Sequence, residues 1–118
     1  SDIRSKNIES RVTIQSFDFR VLKYLKNQYP SFKISMLVNE NYNFSNIFDD
    51  LGFYPDIYSP NFKNLTYEIV KKVQKKKIQV IPWTVNSNDD IAKILELGVD
   101  GIISDYPERV KYLLNEKI

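Results

Sequence analysis

The sequence predicts an α/β fold built on a parallel sheet. Strand-like and helix-like segments alternate along the chain, and most of the strands are apolar at nearly every position. Helices that cover a parallel sheet bury its strands, which explains strands without regular polar alternation. No low-complexity linker or sequence repeat divides the 118 residues, so we treat 1–118 as a single unit.

The strand-like segments are short runs of β-branched and other apolar residues. Residues 56–59 form the weakest of them, because only Ile57 and Tyr58 are apolar there. The predicted strands are 12–17, 33–38, 56–59, 78–85 and 101–103.

The helix-like segments carry apolar residues at helical spacing, beginning near a residue suited to capping. Gly52 and Gly98 are expected to close the second and fourth helices, and Pro107 is expected in the first turn of the last. The predicted helices are 18–26, 44–51, 65–76, 89–97 and 108–115. The predicted N-caps are Ser16, Ser45, Asn64, and either Ser87 or Asn88.

Composition excludes several classes of function. The net charge of +2 is too small to indicate nucleic-acid binding, and no apolar run is long enough to span a membrane. The lysines of 71–77 are interpreted as a solvated helix face, because the apolar stripe of that helix faces the core. The absence of cysteine fits a reducing compartment but leaves localisation open, cytoplasmic or secreted.

Three segments resemble the glycerophosphodiester phosphodiesterase family: VTIQSFDF (12–19), VIPWTVN (80–86) and LGVDGIISDYP (97–107). The order and spacing of the segments also match, and together they span most of the chain. Two positions depart from the family pattern. Lys77 stands where the family usually has glycine, and Ser104 replaces the usual threonine but keeps its hydroxyl.

The resemblance implies a (β/α)8 barrel that hydrolyses glycerophosphodiesters to glycerol 3-phosphate and an alcohol with a divalent metal, Ca²⁺ or Mg²⁺. The family's catalytic groups are a His-Arg-Gly segment, a Glu-x-Asp pair, a second histidine and a further glutamate, all in the first half of the barrel. This chain has no histidine. It is therefore identified as the C-terminal half of such a barrel. The length of the chain agrees, because a whole (β/α)8 domain needs about 200 residues or more.

Histidine would supply both the general acid and the general base near neutral pH. The chain alone is accordingly predicted to be inactive, with no catalytic residue and no metal ligand of its own. Active sites of such barrels lie at the carboxyl ends of the strands. The predicted substrate-binding residues there are Trp83, Phe17, Gln15 and Asn86.

Trp83 is the strongest of these candidates, because its ring can pack against substrate carbons while its indole N–H donates a hydrogen bond. Its alternative role is that of a large core residue. Asn86 is equally well explained as a turn residue. Ser16 and Asp18 are interpreted as helix-capping residues rather than a nucleophile and its partner, and Asp105 as a cap of the last helix rather than a metal ligand.

Three hypotheses about partners follow. The chain completes a barrel with an N-terminal half, and the glycerophosphodiester binds to the complete enzyme. Alternatively, it is a non-catalytic half-barrel that pairs with a second copy of itself or with another chain through unpaired sheet edges. The third hypothesis is a module that binds a phosphate ligand without turnover.

Overall fold

The computed structural model describes residues 13–39 and 44–116, and the side chains of all these except residue 116. The predicted strand residue Val12 lies outside the described residues. Within them, four strands form one parallel sheet in the order β1-β2-β3-β4. The predicted α/β class is confirmed. The strands are β1 (Thr13–Ser16), β2 (Lys33–Val38), β3 (Ile57–Pro60) and β4 (Gln79–Val80).

A helix follows each strand and packs on one face of the sheet. The helices are α1 (Phe19–Gln28), α2 (Ile47–Leu51), α3 (Tyr67–Lys75), α4 (Asn88–Glu96) and α5 (Pro107–Glu116). Two 3₁₀ turns, Phe44–Asn46 and Phe62–Asn64, precede α2 and α3. No helix in the described ranges is long and apolar enough to cross a membrane.

Alternate residues of each strand point to opposite faces, and only one of these faces is covered by helices. The covered face holds the core, which includes the strand residues Ile34, Met36, Val38, Tyr58 and Val80. Burial raises the pKa of the Tyr58 phenol, so this ring remains neutral and packs with Phe44 and Phe48. The core residues that the helices contribute are Leu22, Ile47, Leu51, Val70, Val73, Ile91 and Ile94.

The fourth strand is much shorter than the predicted 78–85, although its backbone continues beside β3. Ile81 N donates to Tyr58 O at 3.0 Å, and Trp83 N donates to Pro60 O at 3.1 Å. Pro60 and Pro82 have no N–H, so they interrupt the regular ladder.

The fifth predicted strand, 101–103, is wrong as a regular strand but correctly placed. Asp100 N donates to Val80 O at 2.9 Å and Ile103 N to Pro82 O at 3.0 Å, so the segment runs beside β4. Because Pro82 cannot donate, these bonds do not extend into a continuous ladder.

Two predicted N-caps are wrong by two residues each. At α1, Ser16 Oγ accepts from Asp18 N at 2.9 Å inside the turn that leaves β1, and Asp18 is the cap. At α3, Asn64 ends a 3₁₀ turn, and Thr66 Oγ1 accepts from Ile69 N at 3.2 Å. In each case the chain bends once more before the helix starts, and the sequence pattern does not show that bend.

The other helix ends agree better with prediction. Ser87 caps α4, accepting from Asp90 N at 3.1 Å. Gly52 and Gly98 close α2 and α4 with φ of +88° and +80°. Ser45 is wrong as a cap, because it lies inside the 3₁₀ turn and Asn46 takes the N-cap position of α2. The last helix begins at Pro107, one residue before the predicted range, with this proline in its first turn as expected.

Candidate functional site

Trp83 lies at the carboxyl edge of the sheet, where its backbone N–H and carbonyl both bond to residues at the end of β3 and just after it. Its main-chain N donates to Pro60 O at 3.1 Å, and its carbonyl accepts from Phe62 N at 3.0 Å. Its indole Nε1 donates to Ser59 O at 2.8 Å. The indole N–H is therefore engaged within the sheet, contrary to the expectation that it donates to substrate. The half-buried ring is what this residue can offer a ligand.

Phe17 follows β1 and meets Trp83 across the sheet. The two ring centroids are 5.7 Å apart and the ring planes are at 88°, an edge-to-face contact. Phe17 is 54% exposed, so much of its ring remains accessible to a ligand. We call Phe17 and Trp83 the aromatic corner. It brings together two of the predicted substrate-binding residues from distant parts of the chain.

Gln15 lies on the sheet face that the helices leave open. It is exposed and lines a cleft of about 220 Å³. The other residues lining this cleft are Thr13, Ser35, Ile57, Ser59, Ile81 and Ile103. Since these residues come from neighbouring strands and the adjoining segment, the cleft is the inner surface of a curved sheet. Gln15 reaches this surface two residues before Phe17.

Asn86 is the fourth predicted contact, and both ends of its amide bind the segment before α5. Asn86 Nδ2 donates to Asp105 Oδ2 at 3.0 Å, and Oδ1 accepts from Asp105 N at 2.9 Å and from Ser104 Oγ at 3.2 Å. Arg109 Nη1 donates to Asn86 O at 2.7 Å. These bonds give Asn86 a role in joining two loops, and its substrate contact stays a prediction.

The carboxylates near this edge do not fit a divalent metal site. Asp105 is bound to Asn86, and the Asp18 carboxylate is bound to the Arg20 guanidinium at 3.1 and 3.2 Å. In the part of the chain that the structure describes, no group of three or more acids, histidines or cysteines could hold a metal ion. Asp105 is also not at the predicted N-cap position of α5, because this helix begins at Pro107 and Tyr106 directly precedes it.

A larger cavity, about 320 Å³, lies on the outer side of the helices. Phe44, Phe48 and Tyr54 line it together with lysines of α3 and its C-terminal end. Lys72, Lys75 and Lys76 are exposed there, as expected for a solvated helix face, whereas Lys71 of the same predicted face is half-buried. This cavity is formed by the helix layer, whereas the carboxyl ends of the strands form the aromatic corner.

Sequence reasoning missed Ser59, which is fully buried and contacts both Trp83 and Ile81. The available signal was the Ser-Pro pair at the end of β3, since proline removes a backbone donor from a strand. Asp56 and Asp100 were also missed. Asp56 directly precedes β3 and Asp100 directly precedes the segment 101–103, a position from which a carboxylate can reach a neighbouring backbone N–H.

These features define the class of protein: a parallel β/α protein whose candidate binding surface lies at the carboxyl ends of its strands. A sequence profile of the Glycerophosphoryl diester phosphodiesterase family matches residues 1–109. The chain belongs to this family, as its motifs indicated.

A glycerophosphodiester phosphodiesterase of Caldanaerobacter subterraneus subsp. tengcongensis is 30% identical over 118 residues. The match covers 97% of this chain but 46% of that protein. A second relative, from Bacillus altitudinis and of the same name, is 30% identical over 120 residues and is covered to 45%. The chain thus spans about half the length of the curated relatives it matches.

Solved structures agree with the fold. The chain superimposes with a TM-score of 0.86 on a Silicibacter pomeroyi protein provisionally named a glycerophosphoryl diester phosphodiesterase, at 28% identity. That match covers 98% of this chain and 42% of the other. A glycerophosphodiester phosphodiesterase of Parabacteroides distasonis gives a TM-score of 0.80 at 21% identity, covering 98% of this chain and 48% of that one. At this lower identity the likeness concerns the fold alone.

Proposed function

We propose that this chain forms the C-terminal half of a glycerophosphodiester phosphodiesterase barrel and supplies one wall of its substrate pocket. The complete barrel would hydrolyse a glycerophosphodiester to glycerol 3-phosphate and an alcohol. The observation that carries the proposal is the aromatic corner, which places two rings at the carboxyl edge of a sheet belonging to this family.

The aromatic corner suits the uncharged part of such a substrate. A glycerophosphodiester has a charged phosphate with carbon chains on either side, and the faces of aromatic rings pack well against those carbons. The Trp83 N–H is held by Ser59 O, so the orientation of the ring is set before a ligand arrives. Gln15 provides an amide on the same open face, suited to a glycerol hydroxyl or a phosphate oxygen.

Acid–base groups and metal ligands would come from the other half of the barrel. The sequence has no histidine, and at this edge the Asp105 carboxylate is engaged with an amide and the Asp18 carboxylate with a guanidinium. A bound divalent ion, Ca²⁺ or Mg²⁺, would neutralise phosphate charge during hydrolysis. We infer that this chain releases no product on its own.

An N-terminal half-barrel is the partner we propose. The cleft bearing Gln15 is lined with Ile57, Ile81 and Ile103, an apolar surface that a second set of strands would bury. In the described sheet, β1 has β2 as its sole neighbour, so its outer edge is suited to pairing. A second copy of this chain is the alternative partner, because its identical edge has the same pairing capacity.

The test joins this chain to the part of the Caldanaerobacter phosphodiesterase that it does not match. We expect the hybrid, supplied with Ca²⁺ or Mg²⁺, to release glycerol 3-phosphate from glycerophosphocholine, and the 118-residue chain alone to release none. Trp83→Ala should lower kcat/KM of the hybrid about tenfold or more, equivalent to about 1.4 kcal/mol of binding.

Tyr24→Ala is the matched control, since it removes an exposed ring from the middle of α1, outside the aromatic corner. Turnover by the chain alone, or a hybrid that is folded by circular dichroism but inactive, would contradict the proposal. Light scattering on the chain distinguishes the partners: a stable dimer of this chain favours self-association. Calorimetric binding of glycerol 3-phosphate without any hydrolysis in the hybrid would favour a binding module.

A further inference from the structure

The backbone ladder between β3 and residues 79–83 lacks one donor. Alternate residues along this stretch donate to β3: Gln79 N to Asp56 O at 3.1 Å, Ile81 N to Tyr58 O at 3.0 Å, and Trp83 N to Pro60 O at 3.1 Å. In a parallel ladder, the carbonyl of each such residue accepts from the β3 residue that follows its partner.

The register makes residue 60 the donor expected for the Ile81 carbonyl. Ile57 lies opposite Gln79 and Tyr58 opposite Val80, which places Ser59 opposite Ile81. The donor would therefore be the N–H of residue 60, but this residue is proline and has none. At the next position the ladder resumes, with Phe62 N donating to Trp83 O at 3.0 Å.

The Ser59 side chain occupies the place of the missing donor. Ser59 Oγ donates to Ile81 O at 2.6 Å, and the residue is 0% exposed. Its own carbonyl accepts from Trp83 Nε1 at 2.8 Å. One buried residue thus bonds to the backbone two positions before Trp83 and to the ring of Trp83 itself.

We infer that Ser59 is a positioning residue for the aromatic corner. Its hydroxyl replaces the backbone N–H that Pro60 lacks, and this keeps the Ile81 backbone beside β3. The Trp83 indole N–H therefore stays bonded to the Ser59 carbonyl, which fixes the position of the ring. This rests on the proposed function only in that Trp83 contacts the substrate. A buried carbonyl without a donor is costly, so loss of the hydroxyl would let the backbone at Ile81 move from β3. The edge-to-face contact with Phe17 depends on the same ring position.

The test is a double-mutant cycle in which the second substitution returns the missing donor. Ser59→Ala removes the hydroxyl, and Pro60→Ala supplies a backbone N–H at the position where the ladder needs one. Trp83 is the single tryptophan of the chain, so its fluorescence reports the ring directly. The measurements are the emission maximum and acrylamide quenching of the 118-residue chain, with KM and kcat of the hybrid.

We expect Ser59→Ala to shift the emission and increase quenching of Trp83, and to raise KM by about three- to tenfold with a smaller change in kcat. Adding Pro60→Ala to the Ser59→Ala chain should return the Trp83 fluorescence and the KM most of the way to their original values. Ser35→Ala is the matched control, because it removes a buried hydroxyl from the same inner face on β2 and should leave Trp83 emission unchanged.

Unchanged quenching and KM in Ser59→Ala would overturn the inference, and so would a loss that Pro60→Ala does not restore. If Ser59→Ala does not fold, the double variant decides: folding of the double variant supports the missing-donor argument, and failure to fold contradicts it. If instead Trp83→Ala leaves hydrolysis by the hybrid unaffected, the proposed substrate contact of Trp83 fails, while the fluorescence cycle still tests the role of Ser59.

Discussion

The two ends of the sheet are built differently. At the amino end, two aspartates clamp neighbouring strands with the same pair of bonds. Asp56 Oδ2 accepts from Ile34 N at 2.8 Å while Asp56 N donates to Ile34 O at 3.0 Å. Asp100 Oδ2 accepts from Val80 N at 2.8 Å while Asp100 N donates to Val80 O at 2.9 Å. The carboxylates of these two aspartates are hydrogen-bonded to neighbouring strands.

At the carboxyl end, the Trp83 indole N–H is bonded to Ser59 O, but Trp83 is only half-buried and Phe17 is exposed. This contrast matches the division of barrels into a stabilising amino face and a functional carboxyl face. Substitutions at the two ends should therefore separate stability from substrate binding, and this separation can be measured.

The largest effect on stability is expected from Asp100→Ala. The change removes the acceptor for Val80 N and for Gln74 Nε2, which lies 3.2 Å from the carboxylate. Because the Val80 N–H is left without its acceptor in a buried strand, we expect a loss of about 2 kcal/mol in the free energy of unfolding. Urea denaturation followed by circular dichroism measures this.

Asp56→Ala should cost less, about 1.5 kcal/mol, since the structure gives that carboxylate one strand N–H as donor. Lys111→Ala on exposed α5 is the control and should stay within about 0.5 kcal/mol. Equal stability of the Asp100→Ala variant and the control would show that the clamp does not stabilise the sheet.

Phe17→Ala is expected to lower activity more than it lowers stability, the opposite of the aspartate substitutions. With 54% of this side chain exposed, little apolar burial is lost, and the edge-to-face contact with Trp83 contributes about 1 kcal/mol. In the hybrid barrel, however, kcat/KM should fall about tenfold, or about 1.4 kcal/mol. A Phe17→Ala hybrid as active as the parent, beside an inactive but folded Asp100→Ala hybrid, would reverse the assignment of the two ends.

Much of this architecture could be predicted, because burial and backbone requirements leave a pattern in the sequence. The runs at 33–38 and 101–103 were located correctly, and Gly98 and Pro107 mark helix ends through their own backbone chemistry. The motif residues Phe17 and Trp83 were also correctly grouped at one edge.

The errors occurred where several residues could perform the same task. Ser16 and Asp18 are both good caps, and the choice depends on how the chain leaves β1, which is a tertiary property. Asn64 and Thr66 pose the same ambiguity. The partner of the Trp83 N–H could not be predicted either, since it lies 24 residues away and depends on strand register.

Lys77 offers a smaller, stabilising change. Its φ of +63° is in the left-handed region, and its N–H donates to Gln74 O at 2.9 Å where α3 ends. A side chain in this conformation costs about 1–2 kcal/mol, which glycine avoids while losing some backbone entropy on folding. We therefore expect Lys77→Gly to raise the free energy of unfolding by about 0.5–1 kcal/mol.

Lys76→Gly is the control for that change, because residue 76 has φ of −87° and gains nothing from glycine. It should lower the free energy of unfolding by about 0.5–1 kcal/mol. If both substitutions destabilise the chain equally, the left-handed conformation at residue 77 is not a source of strain.

The smallest effect concerns the cap of α1 beside the aromatic corner. Hydrogen bonds from the Arg20 side chain, and then from Arg20 N, hold the pKa of Asp18 below its ordinary value of 3.8. A carboxyl whose pKa is lowered by folding stabilises the folded state above its unfolded pKa, and that contribution is lost as pH falls through the folded pKa. The contribution should therefore be complete near neutral pH and disappear only below pH 3.8.

Carboxyl-carbon NMR titration should find the pKa of Asp18 below 3.8, and Arg20→Gln should raise this pKa while leaving the bond from the backbone N–H of residue 20. An Asp18 pKa that is the same with and without the guanidinium would mean that this exposed pair does not form in solution.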